Sequence, residues 1–247
     1  MAGHSKWANI KRQKEANDKK KGKEFTKLIR EITVAAKQGP DKDQNPRLRL
    51  AIEKALAQNM NKQTIERAVL KGSGNTDDDK VEAILYEGYG PGGFAIMVEC
   101  LSDNRNRTVS EVRHAFSKHG GNLGTDGSVS FMFDHKGMIV FDPTSIDELE
   151  VFDIALEAGA DDVVQTPDNW QIITAKEKLY EVTNQLNSNE NILIKDAYLF
   201  WLAQNDISID ATQYEKAQKL IQRLEDLDDV QDVYTNINDE GHDHSGN

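Results

Sequence analysis

The chain has 247 residues, 38% apolar and 29% charged, with 3 Trp, 6 Tyr and 8 Phe, which is enough to bury real cores and excludes general disorder. The formal charge of −12, taken as an average, argues against a nucleic-acid binder. Divided after Gly72, the chain holds 18 Lys and Arg against 8 Asp and Glu, a net +10, followed by 12 against 34, a net −22. A contrast of that size points to parts with different partners, the basic part being suited to polyphosphate.

The first ~75 residues read as helical. Phe25, Leu28, Ile29, Ile32, Ala35 and Ala36 recur at helical spacing as a one-sided apolar stripe, on a helix that begins near Asp18. Gly39-Pro40 stops it. Asn45-Pro46 supplies a cap and a proline at N1 for a second helix with Leu48, Ala51, Ile52, Ala55 and Leu56 inside. Asn61 caps a third helix carrying Ile65, Ala68 and Val69 and ended by Gly72, and polar residues 73–80 serve as a linker.

From Val81 strands alternate with helices. VEAILYEG and FAIMVECL read as two strands joined by GYGPGG, followed by a helix from Asn106 to His119 stopped by Gly120-Gly121. SVSFMFD and GMIVFD read as strands separated by a His-Lys turn. Then come helix 146–158, strands DDVVQ and WQIITA, helix 176–187, strand ILIKDAYLF, helix 212–225 and strand VQDVYTNI. Residues 135–205 thus spell β-α-β-β-α-β, the split ferredoxin-like order, while 81–134 spell β-β-α-β and are completed only by the last helix and strand. The expected fold class is α+β: a small helical domain (1–79), then an α+β domain (80–134 plus 206–247) interrupted by an inserted ferredoxin-like α+β domain (135–205).

Motifs for catalysis, metals and cofactors are weak. Gly88, Gly90 and Gly93 match G-x-G-x-x-G, but Pro91 lies inside the motif and an apolar β-prone run follows, so a hairpin is expected in place of a dinucleotide cradle. Ser102-Asp103-Asn104 lacks the companion motifs of the penicillin-binding set. The six histidines and single Cys100 form no zinc-type spacing, His242-x-His244 reads as solvated tail, and Cys100 reads as a buried small hydrophobe. The carboxylates fall mostly in runs, Asp77 to Asp79 and Glu225 to Asp229, that read as solvated surface. No enzyme activity, metal, cofactor or small-molecule substrate is expected. A single cysteine, no signal-type apolar stretch and no apolar run of about 18 residues lead to an expectation of a cytoplasmic protein without a membrane partner.

The basic segment carries the functional reading. Residues 1–30 hold ten Lys and Arg against three acids. At 100° per residue Lys20, Lys23, Lys27 and Arg30 share one arc of about 100°, centred about 150° from the apolar stripe. The helix would therefore dock by one face and hold out a cationic one along a phosphate backbone. Trp7, among Lys6, Lys11, Arg12 and Lys14, would stack on a base or brace the segment. A second basic cluster, DNRNRT, places Arg105 and Arg107 before a helix and Arg113 within it, with Asp103 or Asn106 available to cap.

The opening MAGHSKWANIKRQKEANDKKKGKEFTKLIREI and the stretch YEGYGPGGFAIMVECLSDNRNRTVSEVRHAFSKHGGNLGTDGSVSFMF resemble the YebC/PmpR family, which includes mitochondrial translational activators of cytochrome c oxidase. The resemblance spans essentially the whole chain. It implies a helical domain followed by two α+β domains, one inserted in the other. It also implies a cytoplasmic transcriptional regulator that binds DNA, without catalytic residues. Carried onto matching positions, Lys6, Trp7, Lys11, Arg12, Lys14 and the DNRNRT loop become the contact surface. Neither the family nor this chain has a helix-turn-helix recognition helix, so contacts to backbone phosphate are expected over base readout. The expected ligand is DNA first, with ribosomal or messenger RNA second. The alternative is a ribosome- or mRNA-associated translation factor or translational activator.

Overall fold

The computed structural model describes residues 21–74, 81–142, 147–166, 169–189 and 192–238. The chain divides into two compact units, one of residues 1–133 and 203–247 and the other of residues 134–202.

The first unit opens with helices α1 (Lys21–Ala36), α2 (Pro46–Ala57) and α3 (Lys62–Ser73). Asn45 and Asn61 cap α2 and α3, their side chains accepting from the amides of Leu48 and Gln63, because a short side-chain oxygen satisfies an N–H that has no partner within the helix. Ile32, Ala35, Ala36, Leu48, Ala51, Ala55, Met60, Ile65 and Ala68 form the helical core. Two members of the expected stripes lie outside it: Phe25 and Leu56 are exposed. Gly72 does not end α3, which runs on to Ser73 and is capped by Gly74. Gly72 instead lies where α3 crosses α1, and a Cβ there would collide with the Thr33 carbonyl.

The same unit continues with β1 (Glu82–Tyr89), β2 (Ala95–Ser102), α4 (Arg105–Lys118) and β3 (Asn122–Leu123), and closes with α7 (Ala211–Glu225) and β8 (Val230–Thr235). The sheet order is β3-β1-β2-β8, with β1–β2, β1–β3 and β2–β8 antiparallel. The glycine-rich match is the β1–β2 hairpin, with Gly92 and Gly93 at φ +87° and +84°. Helices α4 and α7 bury Val112, Ala115, Phe116, Ala217, Leu220 and Leu224 in the core that also takes in Ile96, Val98 and Val233. Cys100 belongs to that core, and burial pushes its thiol well above the ordinary value, as a small hydrophobe requires.

Two strand expectations are corrected. SVSFMFD does not supply the third strand of this sheet; Asn122–Leu123 does. The amides of Gly127, Val129 and Ser130 are instead drawn onto the carboxylate of buried Glu87 at 2.7, 3.0 and 2.6 Å. Burial opposes ionisation of Glu87, but these three donors win and hold its pKa below the usual range. Nor is there a His-Lys turn: β4 (Phe133–Phe141) runs through His135 and Lys136, its Lys136 facing Ala175 across the ladder.

The second unit places α5 (Glu148–Glu157), β5 (Asp162–Gln165), β6 (Trp170–Ala175), α6 (Leu179–Asn187) and β7 (Ile194–Ala203) after β4, with sheet order β5-β6-β4-β7. That is the ferredoxin-like order. Met138, Ile139, Phe141, Trp170, Ile172, Leu186 and Phe200 are buried in it.

Candidate nucleic-acid interface

The cationic arc of α1 does not face outward. Lys27, 9% exposed, donates from Nζ to the Gln231 carbonyl at 2.8 Å, and Lys23 donates to the Glu225 carbonyl. Arg30 donates from one guanidinium nitrogen to the carbonyls of Leu101 (3.1 Å) and Asp228 (2.7 Å), and pairs with the Asp229 carboxylate at 2.7 Å. The expectation of an outward arc is corrected for these three residues. The accepting carbonyls of Glu225 and Asp228 lie at the α7–β8 turn and those of Leu101 and Gln231 on β2 and β8, and cations on long stems satisfy them while their methylenes pack. Lys20 lies outside the described residues, as do Lys6, Trp7, Lys11, Arg12 and Lys14 and the tail histidines 242 and 244.

Asp229 is the hub of this contact. It is 1% exposed, yet accepts from Thr108 Oγ1 at 2.6 Å and from both Nε and Nη2 of Arg107, at 3.3 and 3.0 Å, besides pairing with Arg30. Burial alone would raise its pKa; the Thr108 hydroxyl and the two guanidinium groups overcome that and hold it below the usual carboxylate range. Ser102 Oγ joins at 3.4 Å and also accepts from the Asn104 amide, which places the Ser-Asp-Asn triplet in a structural network. Sequence reasoning missed Asp229 by treating Glu225 to Asp229 as solvated, although Leu224, Leu227 and Val230 interleave with the run and are buried. Apolar residues at every third position were the available signal that the run turns back to the core.

Of the DNRNRT cluster, Arg107 is thus committed internally, with Asp103 as a second partner at 2.7 Å. The cap of α4 is Asn104, accepting from the Arg107 amide at 3.0 Å, in place of Asp103 or Asn106. Arg105 is exposed and reaches Glu82 only at 3.9 Å, and Arg113 is exposed on the outer face of α4. These two are the sequence-selected cations that the described structure presents outward. Among the described residues no group of three or more His, Cys, Asp or Glu is placed to hold a metal ion, and no helix is long and apolar enough to cross a membrane.

Glu225, also 9% exposed, lies beside the same contact. Burial pushes its carboxyl up to about 7 against the pull of Lys27 and Lys23, and Asp232 and Asp226 add to the rise. Its folded pKa stands above the unfolded one, so its contribution is full below the unfolded value and is lost as pH rises through about 7. Glu225→Gln is expected to be more stable than the parent at pH 8 by roughly 1–2 kcal/mol and equal to it near pH 4.5, as read by urea unfolding. A stability difference that does not change with pH would refute this.

The match to known proteins divides the chain after the three N-terminal helices. Residues 5–75 match the family described as "TACO1/YebC protein N-terminal domain". Residues 81–237 match "TACO1/YebC second and third domain". A Francisella philomiragia protein named "Probable transcriptional regulatory protein" is 55% identical over 240 residues, covering 96% of each chain. A Pseudomonas putida protein of the same name is 54% identical over 244 residues, covering 97% of this chain and 98% of its own. The crystal structure of a conserved hypothetical protein of Aquifex aeolicus superposes with a TM-score of 0.81 at 46% identity, over 89% of this chain and 91% of that one. With three helices leading into two antiparallel α+β sheets, and both family descriptions matched in order, the chain belongs to the TACO1/YebC family.

Proposed function

We propose that this protein is a cytoplasmic transcriptional regulator that binds DNA through backbone phosphates and performs no catalysis. The observation that carries the reading is the segregation of charge: ten Lys and Arg in the first thirty residues, against a net −22 after Gly72. Three of the ten, Lys23, Lys27 and Arg30, hold α1 against the first unit. Lys6, Lys11, Arg12, Lys14 and Lys20, with Trp7, precede that anchored helix in sequence and are the proposed contacts, together with exposed Arg105 and Arg113. The relatives' name supports a role in regulation.

The test is a titration of the full chain against a duplex DNA and an RNA of equal length over a range of salt. Neutralising seven phosphates gives a log–log slope of about −6.3 on B-DNA, of which the five cations before α1 account for about −4.5. Removing residues 1–20 is expected to remove most of that slope. A salt-independent response would refute the electrostatic reading, and binding to ribosomal RNA without binding to DNA would replace the regulator with a translation factor.

A further inference from the structure

A second set of cations lies where the end of α4 meets α7. Lys118 and His119 face Lys219 and Arg223, four residues apart on α7, across an open groove of about 810 Å³. Lys118, Lys219 and Arg223 are exposed, and among the described residues none of them forms an ion pair or a side-chain hydrogen bond. They differ in this from the α1 cations and from Arg107, each of which has an internal acceptor. Two carboxylates also line the groove, exposed Glu215 and half-buried Asp226, and Asp226 accepts from Gln222 at 3.0 Å.

The local field is positive despite them. Burial depresses the pKa of His119 first, and Lys118, Arg223, Lys219 and His114 depress it further. Repulsion among close cations is unfavourable in the empty groove and is relieved by a bound anion. The cations are also strung out. Lys118 lies at the end of α4, and Lys219 and Arg223 lie one turn apart along α7.

An extended row in an open groove suits a chain of phosphates better than one small anion. None of the exposed large apolar side chains lies in the groove, and its one aromatic, Tyr214, is half-buried, so a protein partner finds a single partial anchor there. We propose that the α4–α7 groove binds the phosphodiester backbone of a nucleic acid, as a contact surface separate from the N-terminal basic segment. The proposal rests on the reading of the protein as a nucleic-acid binder.

The experiment is fluorescence anisotropy of the full chain with a labelled 30-bp DNA duplex and, in parallel, a single-stranded RNA. Lys219→Gln/Arg223→Gln is compared with the parent, and circular dichroism melting serves as the fold control. Two lost phosphate contacts lower the salt slope on duplex by about 1.8, and affinity falls roughly tenfold or more in 0.1 M salt. Glu215→Lys, at an exposed position, is expected to steepen the slope by about 0.9 and tighten binding. This gain-of-charge variant keeps the test decisive if the double variant folds poorly. If the parent binds and neither variant changes slope or affinity, the groove does not take nucleic acid and the inference is overturned while the function reading stands. If the parent binds neither DNA nor RNA, both fall. The arm on which the slopes change identifies which backbone the groove takes.

Discussion

Asp229→Ala is expected to lower the stability of the first unit by roughly 3 kcal/mol, the low end of the range for removing one partner of a buried ion pair. The side chain is 1% exposed, and its loss leaves Arg30, Arg107 and Thr108 facing a cavity where they now donate. The low end applies because the Arg107 side chain is 42% exposed and regains water. Asp229→Asn keeps the volume and one acceptor, and is expected to recover part of the loss. The pKa of Asp229 is lowered in the folded protein, so its contribution is present above the unfolded carboxylate value and disappears as pH falls through the folded one. The gap between parent and variant therefore closes below about pH 4. Hydrogen exchange in β2, α4 and β8 reads the first unit, while Trp170 and Trp201 fluorescence follows the second, where no change is expected. A variant as stable as the parent at pH 7 would show that the hub contributes no stability.

Lys27→Glu/Arg30→Glu is expected to cost roughly 4 kcal/mol, because it removes two internally satisfied cations and sets carboxylates against Asp229, Glu225 and Asp232. The salt slope of nucleic-acid binding is expected to stay unchanged under conditions where the variant remains folded. Contacts made by an outward-facing arc would give the reverse result, with stability intact and a slope shallower by about 1.8. Lys27→Met/Arg30→Met keeps the apolar stems without the charges and is expected to lose less stability. Thermal unfolding and salt titration of one preparation separate the two outcomes.

The legible parts of the fold were local. The caps Asn45 and Asn61 act within three residues of themselves, and their chemistry is plain from residue type and neighbours. The β-α-β-β-α-β element order of the second unit follows from the alternation of apolar runs and helical stripes, whereas the order of its strands in the sheet does not. The failures came where a long-range partner competes for a backbone or side-chain group. SVSF has strand composition, but Glu87, about forty residues earlier, draws in its amides. On the sequence, Asp103 or Asn106 was the expected cap of α4; Asn104 takes that place, its neighbour Asp103 being engaged with Arg107.

The candidate site divides in the same way. Residue types and spacing alone were enough for the α+β class and for the contrast between a +10 start and a −22 remainder, because each depends only on composition and on periods of two or 3.6 residues, while the family showed through the resemblance of long motif strings. The direction in which each charge points depended on folding. Lys27 and Gln231 are 204 residues apart, as are Lys23 and Glu225 within two residues, and no periodicity relates them. A helix with apolar and cationic faces can turn either toward protein, provided the protein offers carbonyls and a buried carboxylate to the cations. Here the α7–β8 turn offers both, so the α1 cations became structural, while those at the α4–α7 groove kept their charge exposed.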